Sequence, residues 1–478
     1  MGPTLKNSGL VSVGLIAGMA ISMQFSALAQ RPVAADMPIE ELRQLADVYG
    51  LIKSDYVESV EDKQLLTNAM TGMVAALDPH SAYLDQKAFR ELREGTEGKF
   101  VGLGIEIGAS EEGYIRIVSP IEDSPAYRAG IKAGDLITRI DSVPVQGLAI
   151  DDAIKRMRGE PNTKVTLTVV RKEAPAPLAF TITRQEIIQK SVKAKIVEPG
   201  YAWLRISQFQ EPTLDDMAAR IKALYQQDPK LKGIVLDLRN DPGGLLQGAI
   251  GVSAAFLPPK AEIVSTNGQL PDSRQRFYGE PEDYALEANR DSLAGLPAAL
   301  KTVPLAVLVN TGSASASEIV AGALQDYKRA AIIGSQTFGK GSVQTIRQLT
   351  ADTAVKLTTA RYYTPKGRSI QARGIMPDFL VDENADGDGL NGLRMRESDL
   401  EKHLSNEGEQ AAAAATNDEL EEQLRVMAAE RNRKPLEYGS SEDFQLQQAL
   451  NHLKGLPMQL SKGSKKATLA QGALPAKP

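Results

Sequence analysis

The chain has 478 residues, 42% of them hydrophobic, which is enough for several packed domains rather than one. Its 55 basic and 60 acidic residues give a net charge of −5, a composition that excludes a broad basic surface for nucleic acid. It contains no cysteine, which excludes a thiol nucleophile, disulfide bonds and thiolate metal sites.

The N-terminus has the pattern of an export signal. Lys6 precedes an apolar stretch over residues 10–25, and the sequence ALA at 27–29 fits a small-residue cleavage site. We predict a signal peptide over 1–29, cleaved after Ala29, and a periplasmic protein. The apolar stretch is interrupted by serines and glycines and is shorter than the ~20 residues of a spanning helix, so an uncleaved inner-membrane anchor is the less favoured alternative.

Residues 36–95 are predicted to form a helical N-terminal region. Apolar residues recur at helical spacing over 42–52 and 70–77, with a break near Asp55. The apolar faces of such helices have two interpretations: they pack on the protein's own core, or they pair with a second copy in a homo-oligomer.

Residues 96–184 change to short strands separated by glycines. FVGLGIEI and GYIRIVSP predict a strand pair, DDAIKRMRG a helix and TKVTLTVVR a final strand, and APAP after it a hairpin or linker. This size and order resemble a PDZ domain, and GLGI resembles the loop whose backbone N–H groups bind a terminal carboxylate. The residues of that candidate site are Gly102, Leu103, Gly104 and Ile105. One alternative is a tight hairpin closed by the glycines. A dinucleotide fingerprint is discarded because the spacing is G-x-G-x-x-x-G and strand-like residues follow.

Residues 185–381 alternate between strand and helix patterns. YAWLRIS, LKGIVLDLR, VPLAVLVN and AAIIG predict strands, and PTLDDMAARIKALYQQ, LLQGAIGVSAAF and ASEIVAGALQDY predict helices between them. The strands are apolar on both faces, as in a parallel sheet that helices cover. The predicted fold is an α/β core with an inserted PDZ domain and helical N- and C-terminal regions.

Residues 382–478 differ in composition from the rest. Dense charge and the run AAAAA predict a helical or disordered extension. Within it, 440–455 predicts an amphipathic helix that docks on the core or on a partner such as an adaptor protein. DENADGDGLNGL begins like a calcium loop, but Leu393 stands at the twelfth position where Glu is required, so no metal site is predicted.

Two turns at the carboxyl ends of predicted parallel strands are candidates for a catalytic site. LDLRNDPGG ends in Gly243 and Gly244, and LVNTGSASAS contains Ser315 just before a helix. Each turn precedes a helix whose first N–H groups have no intrahelical partner, and an oxyanion hole needs such donors. The alternatives are an ordinary tight turn for the glycines and, for Ser315, a capping box with Glu318.

A nucleophilic serine needs a base, and the histidines are poor candidates: His403 and His452 lie in the tail, and His80 lies in a turn before the PDZ-like domain. Lys340 in TFGKGSVQ is flanked by glycines and apolar residues. Burial can lower the pKa of a lysine from about 10.4 to near neutrality, at roughly 4 kcal/mol, and a neutral amine can accept the serine proton. Gln344 could hold that amine by an uncharged hydrogen bond.

A phosphate-binding loop is the least favoured alternative for the lysine segment. GSQTFGKG at 334–341 is close to that motif, but Gly341 replaces the hydroxyl residue that binds Mg²⁺. The following SVQTIRQL is too rich in β-branched residues for the helix that the motif demands.

The signal, LDPHSAYLD, the PDZ-like domain, LRNDPGG, TGSASASEI, TFGKGSVQ and TARYYTPKGRSIQARGIMPD follow one another in this order. Together they closely resemble the C-terminal processing peptidase (tail-specific protease) family over residues 38–382. The resemblance implies a crotonase-like α/β protease core with a Ser-Lys dyad. Ser315 would be the nucleophile, Lys340 the base and Gln344 its support.

The same resemblance implies that the backbone N–H groups of Gly244 and Ala316 form the oxyanion hole, while Ser313 and Ser317 are packing and helix-start residues. We expect an exported serine endopeptidase that captures protein or peptide substrates by free apolar C-termini. No metal or organic cofactor is expected. The alternative function is a PDZ peptide-binding scaffold whose protease core is silent or gated by a partner.

Overall fold

The computed structural model describes residues 38–109, 113–121, 123–172, 174–287, 290–384, 395–406 and 437–460. The predicted signal peptide, the calcium-like loop from residue 385 onward and the AAAAA run lie outside these residues. The described chain divides into two compact units, one up to Ala69 and one from Met70 onward. In the described part, no helix is both long and apolar enough to span a membrane.

The helices of the described residues are α1 (Ile39–Asp55), α2 (Asp62–Ala75), α3 (Gln86–Glu97), α4 (Pro125–Arg128), α5 (Ile150–Met157), α6 (Thr213–Gln227), α7 (Leu246–Phe256), α8 (Pro281–Tyr284), α9 (Ala316–Asp326) and α10 (Phe444–Leu453). The strands are β1 (Ala82–Leu84), β2 (Lys99–Gly102), β3 (Ile105–Ala109), β4 (Ile115–Pro120), β5 (Leu136–Ile140), β6 (Val143–Pro144), β7 (Lys164–Val170), β8 (Leu178–Thr183), β9 (Gln185–Ile188), β10 (Val192–Glu198), β11 (Tyr201–Ile206), β12 (Gly233–Asp237), β13 (Glu262–Gly268), β14 (Gln275–Tyr278), β15 (Leu305–Val309), β16 (Ala331–Gly334), β17 (Ser342–Gln348), β18 (Ala354–Tyr363) and β19 (Phe379–Leu380).

The N-terminal helices break where the sequence predicts a break. α1 ends at Asp55 and α2 begins at Asp62. The apolar stripe of α1 is exposed, each side chain by 46–63%; its members are Ile39, Leu42, Leu45, Val48 and Leu51. The end of the predicted helical region, 36–95, is not helical throughout, because β1 forms a strand there and pairs with β18.

The centre of the second unit is a six-stranded sheet in the order β10-β11-β12-β15-β16-β19. All neighbours are parallel except β10 and β11, as the alternation of strands and helices predicts. Apolar residues of α6, α7 and α9 cover one face, and those of α10 cover the other. Strand β12 is therefore buried at every residue, which explains its uninterrupted apolar sequence.

A second, antiparallel sheet was not predicted. It has the order β1-β18-β13-β14, and β17 also pairs with β18. Its strands alternate between buried and exposed residues less regularly than half-buried strands usually do, so the sequence carries only a weak period-2 signal. This sheet matters for the site because β17 begins two residues after Lys340.

The PDZ-like region forms its own sheet, β3-β4-β5-β7-β8 with β6 on β5, around a separate apolar core. Two details of the prediction are wrong. FVGLGIEI is not one strand, because Gly104 adopts φ +75° and separates β2, which pairs with β9, from β3. TKVTLTVVR is not the final strand, because LAFTIT forms β8 after the APAP hairpin and pairs with β7.

The predicted amphipathic helix at 440–455 is α10, and it docks on the protein's own central sheet. Leu446, Ala449 and Leu450 are buried against β12, β15 and β16. At its start, the Asp443 carboxylate accepts two hydrogen bonds from the Arg239 guanidinium, at 2.8 and 2.6 Å, and both side chains are fully buried. The apolar side of this helix is thus occupied and does not supply a free adaptor surface.

Candidate active site

The two turns singled out by sequence lie side by side. The glycine turn (238–245) follows β12, and the serine turn (310–315) follows the neighbouring β15. The carbonyl of Asp241 accepts the Ala314 N–H at 3.0 Å and the Ser317 hydroxyl at 2.8 Å. The carboxyl ends of the parallel strands therefore bring Gly243, Gly244 and Ser315 to one edge of the sheet.

Ser315 has an unusual backbone at the start of α9. Its φ of 54° and ψ of −111° are disfavoured for a residue with a Cβ, a strain of order 1–3 kcal/mol that surrounding structure must hold. Gly243 packs directly against it, since a Cβ on Gly243 would lie 2.9 Å from both the Ser315 Cβ and the Ala316 nitrogen. A glycine is therefore required at 243 for the turns to approach this closely.

Glu318 joins the serine turn to the lysine loop (337–341). Its Oε2 accepts the backbone N–H groups of Ser315 at 2.8 Å and Lys340 at 2.9 Å. Its Oε1 accepts the Thr337 hydroxyl at 2.5 Å and the Gly339 N–H at 2.7 Å. Two nitrogens that share one acceptor oxygen lie within two hydrogen-bond lengths of each other, so the structure brings together residues that are 25 positions apart in the chain.

Sequence reasoning identified Glu318 only as a helix cap. The capping interaction with the Ser315 N–H is present, but the carboxylate also organises the lysine loop. Burial raises the pKa of Glu318 to about 7, although the hydrogen bonds from Thr337, Ser315, Gly339 and Lys340 lower it. The available signal was an acidic residue in the first turn of the mostly apolar, buried helix α9.

The Lys340 side chain lies in surroundings that favour the neutral amine. Burial lowers its pKa, and the charge of Lys356 on β18 lowers it further. The carboxylates of Glu397, Glu318 and Asp78 act in the opposite direction without reversing the shift. Within the described residues, no carboxylate lies within 4.0 Å of the amine to form an ion pair, so burial dominates.

Gln344 does not hold the lysine amine in this structure. Its side-chain amide donates to the Ser342 Oγ at 3.0 Å and the Thr358 Oγ1 at 3.3 Å, and no bond joins it to Lys340 among the described residues. The cause is the strand register: Gln344 lies directly opposite Thr358 in the β17–β18 pair, next to a register shift. The predicted contact is therefore absent, although the amide oxygen faces no competing donor in the described chain.

The predicted oxyanion donors lie beside the serine. Phe209 bonds to the residues on either side of Gly244, donating to the Gly243 carbonyl at 2.9 Å and accepting from Leu245 at 2.8 Å. The Gly244 N–H consequently faces away from Phe209, and among the described residues neither it nor the Ala316 N–H has an acceptor. At Gly244, φ is 143° and a Cβ would lie 2.0 Å from the Phe209 oxygen, so no side chain fits.

The other serines and the histidines have different roles. Ser313 donates to the Leu238 carbonyl at 2.8 Å, and Ser317 bonds to the glycine turn, so both hold the turns in place. His80 bonds to Glu397 at 2.7 Å, and His403 and His452 lie near Leu400 and Phe379. Among the described residues no histidine bonds to Ser315, and Lys340 is the basic residue whose backbone N–H shares the Glu318 acceptor with that of Ser315.

The four residues of the GLGI segment lie in different parts of the structure. Gly102 lies in the β2–β9 pair, and Leu103 is buried in the PDZ core. The Gly104 carbonyl accepts from the Ile121 N–H at 2.8 Å and the Ser124 hydroxyl at 3.0 Å, and Ile105 begins β3. Strand β3 is an edge strand: β4 pairs with one side, and no described strand pairs with the other. An extended peptide can add to such an edge.

Three family models match the chain. Residues 200–381 match "Peptidase family S41", residues 116–171 match a PDZ domain, and residues 14–88 match the "Activating protease CtpB N-terminal domain". The carboxy-terminal-processing protease of Bartonella bacilliformis is 44% identical over 372 residues, which cover 77% of this chain and 82% of that protein.

Other relatives are more distant. A probable CtpA-like serine protease of Staphylococcus aureus is 36% identical over 342 residues, 71% of this chain and 65% of that protein. Among solved structures, the photosystem II D1 C-terminal processing protease is 28% identical, with a TM-score of 0.41 over 72% of this chain and 87% of the other. The extent of the Bartonella match and the S41 and PDZ models settle the family. The chain belongs to the C-terminal processing peptidases, serine-type endopeptidases of family S41 with a PDZ domain.

Proposed function

We propose that the protein is an exported endopeptidase in which Ser315 is the nucleophile and Lys340 the general base. The single observation that carries this proposal is the Glu318 oxygen that both backbones share, because it holds the serine and the lysine side by side. Partial burial of the lysine lowers the pKa of its amine, which favours the neutral form that a general base needs.

The proposed reaction proceeds through an acyl-enzyme. The Lys340 amine takes the hydroxyl proton as the Ser315 Oγ attacks the scissile carbonyl carbon. The ammonium then returns the proton to the leaving amine nitrogen, and an ester remains on Ser315. Water attacks that ester with the same amine as base, which releases the new C-terminus and restores the serine. Gln344 would support the amine through its amide oxygen, while its amide nitrogen donates to Ser342 and Thr358.

The Gly244 and Ala316 N–H groups are the proposed oxyanion hole. Ala316 is the first residue of α9 and Gly244 lies two residues before α7, so each N–H is close to a helix N-terminus, where the helix dipole also favours negative charge. Removing one such donor in other serine proteases lowers kcat by about 100- to 1000-fold, so the pair would supply a large part of the catalysis.

Substrate capture is proposed to occur at the PDZ domain. A free apolar C-terminus would add along the open edge of β3, with its carboxylate at the GLGI segment. The test is to amidate the C-terminus of a good peptide substrate. Turnover should fall several-fold, and unchanged turnover would reject carboxylate recognition.

The catalytic proposal is tested by Ser315→Ala and Lys340→Ala with peptide hydrolysis as the readout. Both variants should lose hydrolysis while peptide binding to the PDZ domain persists. Hydrolysis at the wild-type rate by either variant would show that the assigned roles are wrong.

A partner-gated enzyme or silent scaffold is the second candidate, and the absent Gln344–Lys340 contact is the observation that favours it. An active-site-directed serine probe distinguishes the two. Labelling of Ser315 in the isolated protein supports an autonomous enzyme, whereas labelling only after a partner is added supports gating.

Location and assembly complete the proposal. We propose a periplasmic enzyme, and N-terminal sequencing of the exported protein should find Gln30 first, whereas an intact Met1 in the membrane fraction would indicate an anchor.

We also propose that the exposed stripe of α1 pairs with a second copy, which sedimentation of Leu45→Glu against wild type tests. Binding of an adaptor protein and the crotonase-like classification of the α/β core remain predictions from the sequence.

A further inference from the structure

The buried carboxylate of Glu397 has no role in the reaction described so far. It belongs to the segment 395–406, which packs on the lysine loop, and its side chain is fully buried. Its Oε2 bonds to the His80 Nε2 at 2.7 Å, and its Oε1 accepts the Gln371 side-chain amide at 2.8 Å. Both carboxylate oxygens are thus satisfied, as a buried carboxylate requires.

The bonds of Glu397 reach both sides of Lys340. Its backbone N–H donates to the Phe338 carbonyl at 3.1 Å, two residues before the lysine. Gln371, which donates to Glu397, accepts the Gly341 N–H at 3.0 Å, one residue after the lysine. The lysine loop is therefore held at two points that flank the proposed base.

His80 connects this assembly to the turn before β1. In that turn, Asp78 accepts the His80 and Ser81 N–H groups at 2.9 Å each and the Thr358 hydroxyl at 3.0 Å, which fixes the turn to β18. Burial raises the pKa of Asp78, but these hydrogen bonds and that of the Ser81 hydroxyl outweigh it and hold the pKa below its usual range. His80 of the DPHSAY motif is thus linked, through Glu397, to the loop that carries Lys340.

Glu397 also acts on the lysine by charge. Four charged groups influence Lys340: Lys356 of β18 lowers its pKa, and Glu397, Glu318 of α9 and Asp78 raise it. Among the three carboxylates, Glu397 has the largest effect. Its negative charge therefore offsets part of the decrease that burial causes in the pKa of Lys340.

We propose that Glu397 is a positioning residue of the protease, which holds the lysine loop through Phe338 and Gln371 and places a negative charge beside Lys340. The proposal rests on Lys340 as the general base. Removing the negative charge while keeping the hydrogen bonds lowers the pKa of the lysine, so the neutral amine persists to more acidic pH.

Glu397→Gln is the test, because the glutamine carbonyl can still accept from Gln371 and its amide can donate to a neutral His80 ring nitrogen. The readout is kcat/KM for a peptide substrate against pH. We expect the acidic limb to move to lower pH by about one pH unit. The matched control Glu401→Gln, exposed on the same segment, should leave the profile unchanged.

Gln371→Leu separates positioning from charge. It keeps the Glu397 carboxyl group but removes its hydrogen bond from Gln371 and the link to Gly341, so kcat should fall about tenfold or more while the acidic limb moves less than in Glu397→Gln. This variant also decides the positioning role if Glu397→Gln does not fold. Wild-type kcat in Gln371→Leu, or a wild-type profile in folded Glu397→Gln, would overturn the proposal.

The failure of the proposed function has a different signature. If Lys340→Ala hydrolyses peptides normally, the lysine is not the base and the dyad proposal falls first. If Lys340→Ala is inactive and the Glu397 and Gln371 variants behave as wild type, the dyad stands and only this inference is wrong.

Discussion

Replacement of Glu318 by alanine is expected to destabilise the fold and to shift Ser315 relative to Lys340. The carboxylate is fully buried and accepts hydrogen bonds from the N–H groups of Ser315, Gly339 and Lys340 and from the Thr337 hydroxyl. An alanine removes the acceptor for all four donors at once. It also removes the acceptor that the Ser315 and Lys340 backbones share, and leaves the Phe338 N–H, which donates to the Ser313 carbonyl at 3.0 Å, to join the lysine loop to the serine turn.

The magnitude follows from these donors. A buried donor without an acceptor costs about 1–3 kcal/mol, and the three backbone N–H groups cannot turn to new acceptors as a hydroxyl can. Part of that cost is offset, because burial of the carboxyl is itself unfavourable, as its pKa of about 7 indicates. We expect the free energy of unfolding to fall by about 3 kcal/mol. A displacement of Ser315 relative to Lys340, the proposed nucleophile and base, by about 1 Å should lower kcat by about 100-fold.

Denaturant unfolding measures the first quantity, and peptide hydrolysis by the folded variant measures the second. The control is Thr337→Val, which removes a hydroxyl that donates to the same carboxylate and accepts the Ile375 N–H, but leaves the bonds from the Ser315 and Lys340 N–H groups to Glu318 in place. Its kcat should stay within about tenfold of wild type. A folded Glu318→Ala variant that hydrolyses peptides within about tenfold of wild type would refute the bridging role.

Three further changes test the surroundings of the site. Gly243→Ala should abolish peptide hydrolysis and leave PDZ peptide binding intact, because the new Cβ would displace Ser315. Burial raises the pKa of Asp241 to about 8 against its hydrogen bond from Gly243, so its protonation stabilises the fold at low pH and that stability is lost as pH rises from about 4 to 8. Urea titrations should therefore find Asp241→Asn more stable than wild type, by up to about 4 kcal/mol at pH 7, with a gap that closes near pH 4. Asp443→Ala should lower the free energy of unfolding by about 3–5 kcal/mol in denaturant titrations, since it leaves the buried Arg239 charge with fewer partners.

The central sheet and its two turns were predictable from sequence for a physical reason. Parallel strands covered on both faces must be apolar throughout, and GIVLD and LAVLV show this directly. Glycines 243 and 244 were recognisable because their turn follows such a strand. The proximity of Ser315 and Lys340 could be inferred only from the family resemblance, because no local pattern relates residues so far apart in the chain.

The parts that sequence did not predict depend on long-range partners. β1 is three residues long and exists because β18 pairs with it, far along the chain. Gln344 faces Thr358 because of a register shift in β17, which no residue pattern announces. Glu397 lies in a short segment whose charge gives no sign of burial. Its partners His80 and Gln371 come from two other regions of the chain.

The most direct test of the account is the pH dependence of Ser315 labelling by an active-site-directed serine probe, compared between wild type and Lys340→Ala. The labelling rate of wild type should rise through an apparent pKa below the ordinary lysine value of 10.5, and Lys340→Ala should label far more slowly at neutral pH. If Lys340→Ala is labelled at the wild-type rate across this range, the lysine amine does not activate the serine and the central claim is wrong.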